Sequence, residues 1–197
     1  MSTTLPYNEY EQLFNVFNSI YPLSDEIRAA IISNSHIISI KKRYKLLSAG
    51  ERSNTIYFIL KGAIRIYYLD KKGKETNTWF LLDNELVISI FSFYTGQPSF
   101  EYIETLEDCI LIALKREDLE ALYLKHMEFN FLGRKLTESY HMHNEIRANE
   151  LRMLNARERY ENLIDRNPQL FQRVSLGHIA SYLGISQETL SRIRQQK

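Results

Sequence analysis

The sequence predicts an α+β chain: two helices, a small β-roll of the jelly-roll (double-stranded β-helix) kind, a long helix, and a helix-turn-helix. Three observations predict it. The apolar period is helical over residues 7–34, breaks into short strand-like runs from about His36 to Leu114, and turns helical again from Glu117. The runs IYFIL, AIRIYYL, TWFLL and CILIAL are rich in Ile, Tyr and Phe. Turn signals separate them at Ala49-Gly50, Lys61-Gly62, Lys71-Lys72-Gly73, Asp83-Asn84 and Thr95-Gly96-Gln97-Pro98. Residues 175–197, SLGHIASYLGISQETLSRIRQQK, read as two short helices hinged at Gly184.

In the first helix Leu13, Phe14, Val16, Phe17 and Ile20 recur at helical spacing until Pro22 interrupts. Ser24 then caps a second helix, with Asp25 and Glu26 favourably placed in its first turn. The strands follow at turn-sized spacing. Beyond them Phe129, Leu132, Leu136, Tyr140, His143 and Ile146 step at three or four residues, with Leu151 and Leu154 further on. A helix of about six turns with so sustained a seam is expected to be a dimer contact. Packing against its own domain is the alternative reading, and both can hold on different faces. Asn155 to Arg166 forms a further helix, ended by Asn167-Pro168.

The last pair of helices is the most informative stretch. Ser175 can cap the first and Ser186 the second, because a serine oxygen accepts from the unpaired N–H groups of a first turn. Ile179, Leu183, Ile185, Leu190 and Ile193 supply the apolar stripe, and Ala180 allows a close crossing. Gly184 stands where a positive φ is wanted. The outward residues of the second helix are Gln187, Glu188, Thr189, Ser191, Arg192 and Gln195, a hydrogen-bonding face suited to base edges and phosphates. That is the pattern of a helix-turn-helix whose second helix enters the DNA major groove.

The chain has 197 residues and a formal net charge of +1. From Leu151 onward eight basic residues face four acidic ones, so the tail carries +4 and residues 1–150 carry −3, a distribution that fits phosphate contact by the tail. The single cysteine, Cys109, cannot form an internal disulfide or hold an iron–sulfur cluster, which needs about four thiolates, and is expected in the core. The start, MSTTLPYNEY, lacks the basic and apolar regions of a signal peptide, and no apolar run approaches the roughly 18 residues of a membrane span. A cytoplasmic location without membrane contact is expected. No catalytic constellation, metal site or cofactor site stands out. His141 and His143 are two apart on a predicted helix and point in different directions.

The segments IYFILKGAIRIYYLDKKGKE (56–75), FYTGQPS (93–99) and SLGHIASYLGISQETLSRIR (175–194) resemble the CRP/FNR family of bacterial transcription regulators, across essentially the whole chain. The likeness is greatest to short, Bacteroidetes-type members. The resemblance implies a cyclic-nucleotide-binding-like sensor domain over residues 1–125, a dimerisation helix over 126–154 and a winged-helix-like DNA-binding domain over 155–197. Because the sequence stops at Lys197, the wing is expected to be shortened or absent. A homodimer would read two half-sites of a pseudo-palindromic double-stranded operator about one helical turn apart. Ser186 and Thr189 would contact phosphate, Glu188 a cytosine amine and Arg192 a guanine. Gln187 stands where the best-known member has an arginine that reads guanine, and glutamine prefers adenine. An unidentified small-molecule effector and RNA polymerase complete the expected partners. The competing reading is a ligand-sensing or protein-interaction module that no longer binds specific DNA.

The family's effector pocket uses a Gly-Glu pair and, some ten residues on, an Arg-Ser or Arg-Thr pair. Anchored on Gly96-Gln97 and CILIAL, those positions fall at Ile88 and Ser89, and at Ser99 and Phe100. None matches. Between Lys74 and Lys115 there is no lysine or arginine, while Glu75, Asp83, Glu85, Glu101, Glu104, Glu107 and Asp108 lie there. A buried phosphate needs a cation or converging N–H groups. Cyclic AMP is therefore not the expected ligand, with Arg52, Arg65 or a second subunit the remaining sources of charge. The candidate pocket comprises Ile88, Ser89, Phe91, Ser99, Phe100, Tyr102 and Asn144, with Phe93 and Tyr94 in the same crowded segment. It would suit a neutral, aromatic-compatible ligand, or stand filled by its own side chains.

Overall fold

A computed structural model describes residues 7–195. Helix α1 (Tyr7–Ile20) ends before Pro22. Helix α2 (Asp25–Asn34) starts at Ser24, whose hydroxyl accepts from the Ile27 N–H. The strands are β1 (Ser35–Ile40), β2 (Lys45–Leu47), β3 (Thr55–Lys61), β4 (Ile64–Leu69), β5 (Glu75–Leu81), β6 (Leu86–Val87), β7 (Tyr102–Thr105) and β8 (Cys109–Lys115). They form two antiparallel four-stranded sheets, ordered β1-β8-β3-β6 and β2-β7-β4-β5. A short helix α3 (Ile90–Thr95) lies between β6 and β7.

The period-two pattern decides which side chains face which core. Ile59, Ile64, Ile66, Ile103 and Leu111 fill the space between the sheets. Their neighbours Phe58 and Ile112 point outward, where α1, α2 and two later helices cover them. Cys109 is buried in the inner core, and burial pushes its thiol up to about 11. It is an inert packing group. At Gly62 (φ 133°) an added Cβ would lie 2.4 Å from the Cys109 sulfur, so the turn before β4 requires glycine twice over.

Helix α4 (Arg116–Lys125) and helix α5 (Met127–Met153) are separated by one extended residue, His126. The 27 residues of α5 make about seven turns. Its apolar seam faces the chain's own roll, a correction to the expected dimer contact. Phe129 and Leu132 are 4% and 0% exposed, and Leu136 packs on the same cluster. Tyr140 and His143 stack on Trp79 of β5, with centroids 4.9 and 4.0 Å away. Only Ile146, at the far end, is an exposed apolar residue of the six. The physical reason is that the outer sheet face is itself apolar and the helix seam covers it. A different face of α5 exposes Phe131, Met142 and Met153. These residues are eleven apart, close to three turns, so they align along the helix.

Helix α6 (Ala156–Arg166) opens with a capping box in which the Asn155 side chain accepts from the Glu158 N–H and the Glu158 carboxylate accepts from the Asn155 N–H. Asn167-Pro168 ends it. A short helix α7 (Leu170–Arg173), absent from the sequence reading, leads into α8 (Leu176–Leu183) and α9 (Gln187–Gln195). Tyr160, Leu163, Ile179, Leu183 and Leu190 form the core of this region, joined by Phe80 of β5. Among the described residues no helix is long and apolar enough to cross a membrane, and no group of three or more His, Cys, Asp or Glu could hold a metal ion.

Candidate nucleic-acid interface

The Ser175 hydroxyl caps α8 by accepting from the His178 N–H at 3.3 Å. Gly184 ends the helix in the left-handed region (φ 68°), and the Ile185 N–H donates back to the Ala180 carbonyl at 3.0 Å. This tight stop turns the chain into α9. The Ser186 hydroxyl accepts from the Thr189 N–H at 3.2 Å, and the two hydroxyl oxygens lie 3.1 Å apart. At the same end, the Glu188 carboxyl is held below its usual value by its own backbone N–H and by Ser186.

Leu190 and Ile193 turn inward, and Gln187, Glu188, Ser191, Arg192 and Gln195 turn outward around a shallow open depression of about 500 Å³. Thr189 is half-buried beside them. Among the described residues Ser191, Arg192 and Gln195 have no hydrogen-bond or ion-pair partner. A polar strip of donors and acceptors, carried on a braced helix and unspent within the chain, is what recognition of base edges and phosphates requires.

Helix α8 braces that strip by docking on β5. The Asn77 N–H donates to the Ser181 hydroxyl at 3.1 Å, and this hydroxyl donates to the Glu75 carbonyl at 3.0 Å. Buried Arg65 pairs with Glu75 at 2.5 Å and Glu104 at 2.6 Å, and its Nη1 lies 3.1 Å from His178 Nε2. Burial first, and then Arg65, lower the His178 pKa, so the ring is neutral and accepts at Nε2. Arg173 pairs with Asp83 at 2.6 Å and also with Glu107. The Arg147 guanidinium lies 3.6 Å over the Tyr182 ring and donates to the Tyr182 carbonyl. Arg159 donates to the Leu183 carbonyl at 3.0 Å, satisfying the C-terminal end of α8.

These contacts revise the reading of the tail's positive charge. Arg159, Arg166 and Arg173 are engaged within the chain, Arg166 with Glu150 at 2.7 Å. Arg192 and Arg194 are the exposed cations of α9. Lys197 lies outside the described residues. The bracing residues Arg65, Arg173, His178 and Ser181 were not singled out as a group by the sequence reading. Arg65 meets its carboxylates 10 and 39 residues away, and the contacts of Arg173, His178 and Ser181 with the roll span 66 to 113 residues, so no local pattern reveals the cluster.

The expected effector pocket does not assemble as one cavity. Ser89 and Ser99 do meet: both are buried, with hydroxyl oxygens 3.2 Å apart, and Ser89 also donates to the Glu101 carboxylate at 3.1 Å. Burial raises the Glu101 pKa, and the Ser89 bond partly opposes it. Phe91 and Phe100 instead lie on the surface, rings 5.3 Å apart, Phe91 on the outward side of α3 and Phe100 in the bend before β7. Phe93 alone of that run is deeply buried, and Tyr94 is 52% exposed. Tyr102 stacks on Tyr67, Ile88 joins the outer core, and Asn144 sits beside Tyr140 on α5. Arg65 is spent on Glu75 and Glu104, and Arg52 is exposed. A phosphate between Ser89 and Ser99 would therefore meet a carboxylate.

Residues 37–126 match the model of the cyclic nucleotide-binding domain. The Fumarate and nitrate reduction regulatory protein of Vibrio cholerae is 29% identical over 170 residues, covering 78% of this chain and 65% of that protein. The Anaerobic regulatory protein of Haemophilus influenzae is 26% identical, covering 78% of this chain and 63% of its own length. The chain is thus similar to proteins of the CRP/FNR family. Its fold is similar to that of FixK2 from Bradyrhizobium japonicum, with a TM-score of 0.70 at 24% identity over 82% of this chain and 83% of that one. Among CRP/FNR relatives, the cAMP-activated global transcriptional regulator CRP of Escherichia coli is 25% identical over 88 residues, covering 45% of this chain and 42% of its own. The chain spans less than two thirds of the length of these curated relatives.

Proposed function

We propose that the chain is a dimeric, sequence-specific DNA-binding transcription regulator of the CRP/FNR type. The single observation that carries this reading is the outward strip of α9, in which Gln187, Glu188, Ser191, Arg192 and Gln195 are exposed while Leu190 and Ile193 anchor the helix. Arg192 donates to a guanine, Gln187 to an adenine, and Glu188 accepts from a cytosine amine. Ser186 and Thr189 approach the backbone phosphates. The dimer forms through the exposed Phe131, Met142 and Met153 face of α5, leaving the Phe129–His143 seam on the chain's own roll. Cyclic AMP is not the proposed effector, since Ser99 stands where the family's arginine would meet the phosphate and the Glu101 carboxylate lies beside Ser89 and Ser99.

Anisotropy titrations on duplexes selected for binding test this reading at a fixed, stated salt concentration. Arg192→Ala is expected to weaken specific binding by about 1–3 kcal/mol and relax preference at one base position in each half-site. Unchanged binding to every duplex after this substitution would remove the reading.

A further inference from the structure

We propose that the cavity on the outer face of the β1-β8-β3-β6 sheet binds an uncharged, mostly hydrocarbon small molecule, and that this is the chain's effector site. The proposal deepens the regulator reading by naming an effector class, but the binding event itself does not require DNA. The cavity has a volume of about 360 Å³ and lies where α1, α4 and α5 cover the sheet. Val16, Ile56, Leu114, Leu119 and Leu136 are among its walls. Ile88 and Ile90 line it too, while Ser89 between them turns to Ser99 and Glu101. Of the positions aligned with the nucleotide-binding pairs the cavity therefore takes in only Ile88, and Ser89, Ser99 and Phe100 lie outside it.

Size and chemistry select the ligand. An apolar cavity of about 150 Å³ stays dry and takes benzene. This one is more than twice as large and falls within the range of small-molecule sites, about 300–1,000 Å³. Left empty, its walls forgo the dispersion contacts that a packed core makes. Among the lining residues there is no lysine or arginine, and the carboxyl of Glu85 is present. Burial raises the Glu85 pKa, consistent with a site hostile to negative charge. A carboxylate or phosphate ligand would be buried there with no lysine or arginine opposite it, and burial also disfavours the charged form of the lining His143. A neutral molecule with a medium-length alkyl chain or a fused pair of rings meets both conditions.

The site also has a route to α8. On β5 successive residues point to opposite sides. Trp79 lines the cavity and stacks on Tyr140 and His143, whereas Phe80 packs against Tyr182 of α8 at 5.3 Å. One strand is therefore the shared wall between the cavity and the helix that braces α9.

Trp79 is the only tryptophan in the chain, so its emission reports on this wall of the cavity, and the cavity-filling variants below separate binding here from binding elsewhere. The full chain is titrated at about pH 7.5 with 1-decanol and, separately, with decanoate. The expected result is a saturable one-to-one change in emission with 1-decanol and at least tenfold weaker binding of decanoate. Leu136→Phe and Val16→Phe fill the cavity from two different helices, so one remains informative if the other fails to fold by circular dichroism. Either folded variant should weaken 1-decanol binding at least tenfold. No saturable change with 1-decanol, decanoate binding as tightly, or filled variants binding like the wild type would each overturn the proposal. DNA titrations without added ligand test the regulator reading separately, so the two failures are distinguishable.

Discussion

The outer strip of α9 and the segment joining β6 to β7 are both rich in hydroxyl and carboxyl groups, and the fold treats them in opposite ways. In the β6–β7 segment Ser89, Ser99 and Glu101 satisfy one another in the interior. On α9 the corresponding capacity of Ser191, Arg192 and Gln195 is left unspent at the surface, while Leu190 and Ile193 hold the helix in place. Buried polar groups seek partners within the chain because leaving them unpaired is costly. Polar groups held on a rigid element without such partners are the ones available to another molecule. The same division runs along α5, where Leu132 is committed to the roll and Phe131 beside it is exposed.

Substitutions and changes of condition separate committed from free groups. The largest effect is expected for Leu132→Ala, which should cost about 2–5 kcal/mol of folding stability in urea melts, as removal of a fully buried side chain does. Met142→Ala should leave folding stability within about 0.5 kcal/mol while lowering the dimer fraction by analytical ultracentrifugation. Next comes Arg192→Ala, with about 1–3 kcal/mol lost on specific DNA and no comparable change in the thermal midpoint. A large stability loss there would show that Arg192 belongs with the committed groups.

Ser99→Ala should cost about 0.5–1.5 kcal/mol of stability and leave DNA binding unchanged. The wild type should give no heat of micromolar binding with cyclic AMP in calorimetry, and such heat would erase the contrast between the two regions. The smallest effect concerns pH. Burial and Arg65 hold His178 below its usual 6.5 in the folded chain. As pH falls through 6.5, the unfolded chain takes up this proton while the folded chain does not, so stability present above that pH declines below it. His143, lowered by burial, acts in the same direction. His178→Gln should flatten the decline of the thermal midpoint between about pH 7 and pH 5, and an unchanged slope would detach His178 from it.

Much of this division was legible in the sequence where a local signal exists. Alternating Ile, Tyr and Phe between glycine turns specified the roll, and Ser175, Gly184 and Ser186 specified the hinged helices through capping chemistry. The absence of lysine and arginine between Lys74 and Lys115 anticipated a segment hostile to phosphate, and Ser89 does face Ser99. The orientation of α5 was not legible. Its seam and its exposed face are both apolar, and the sequence does not say whether the chain's own sheet or a second copy covers the seam. Phe91 joins the expected pocket by proximity along the chain and Phe100 by alignment with the family's Arg-Ser pair, but the outward side of α3 and the bend before β7 carry them to the surface. Arg173 read as surplus charge because Asp83 and Glu107, its partners, lie 90 and 66 residues away. The cavity beside Trp79 draws on helices and strands from most of the sensor region, so no single stretch announces it.

Affinity selection from a random duplex pool, sequenced after successive rounds at fixed salt, probes the α9 surface without assuming a target. Enrichment of two inverted half-sites centred about 10–10.5 base pairs apart, lost with Arg192→Ala, is the expected outcome. A pool that stays as random as its input, with wild type and variant alike, would contradict a DNA-reading role for Gln187 to Gln195.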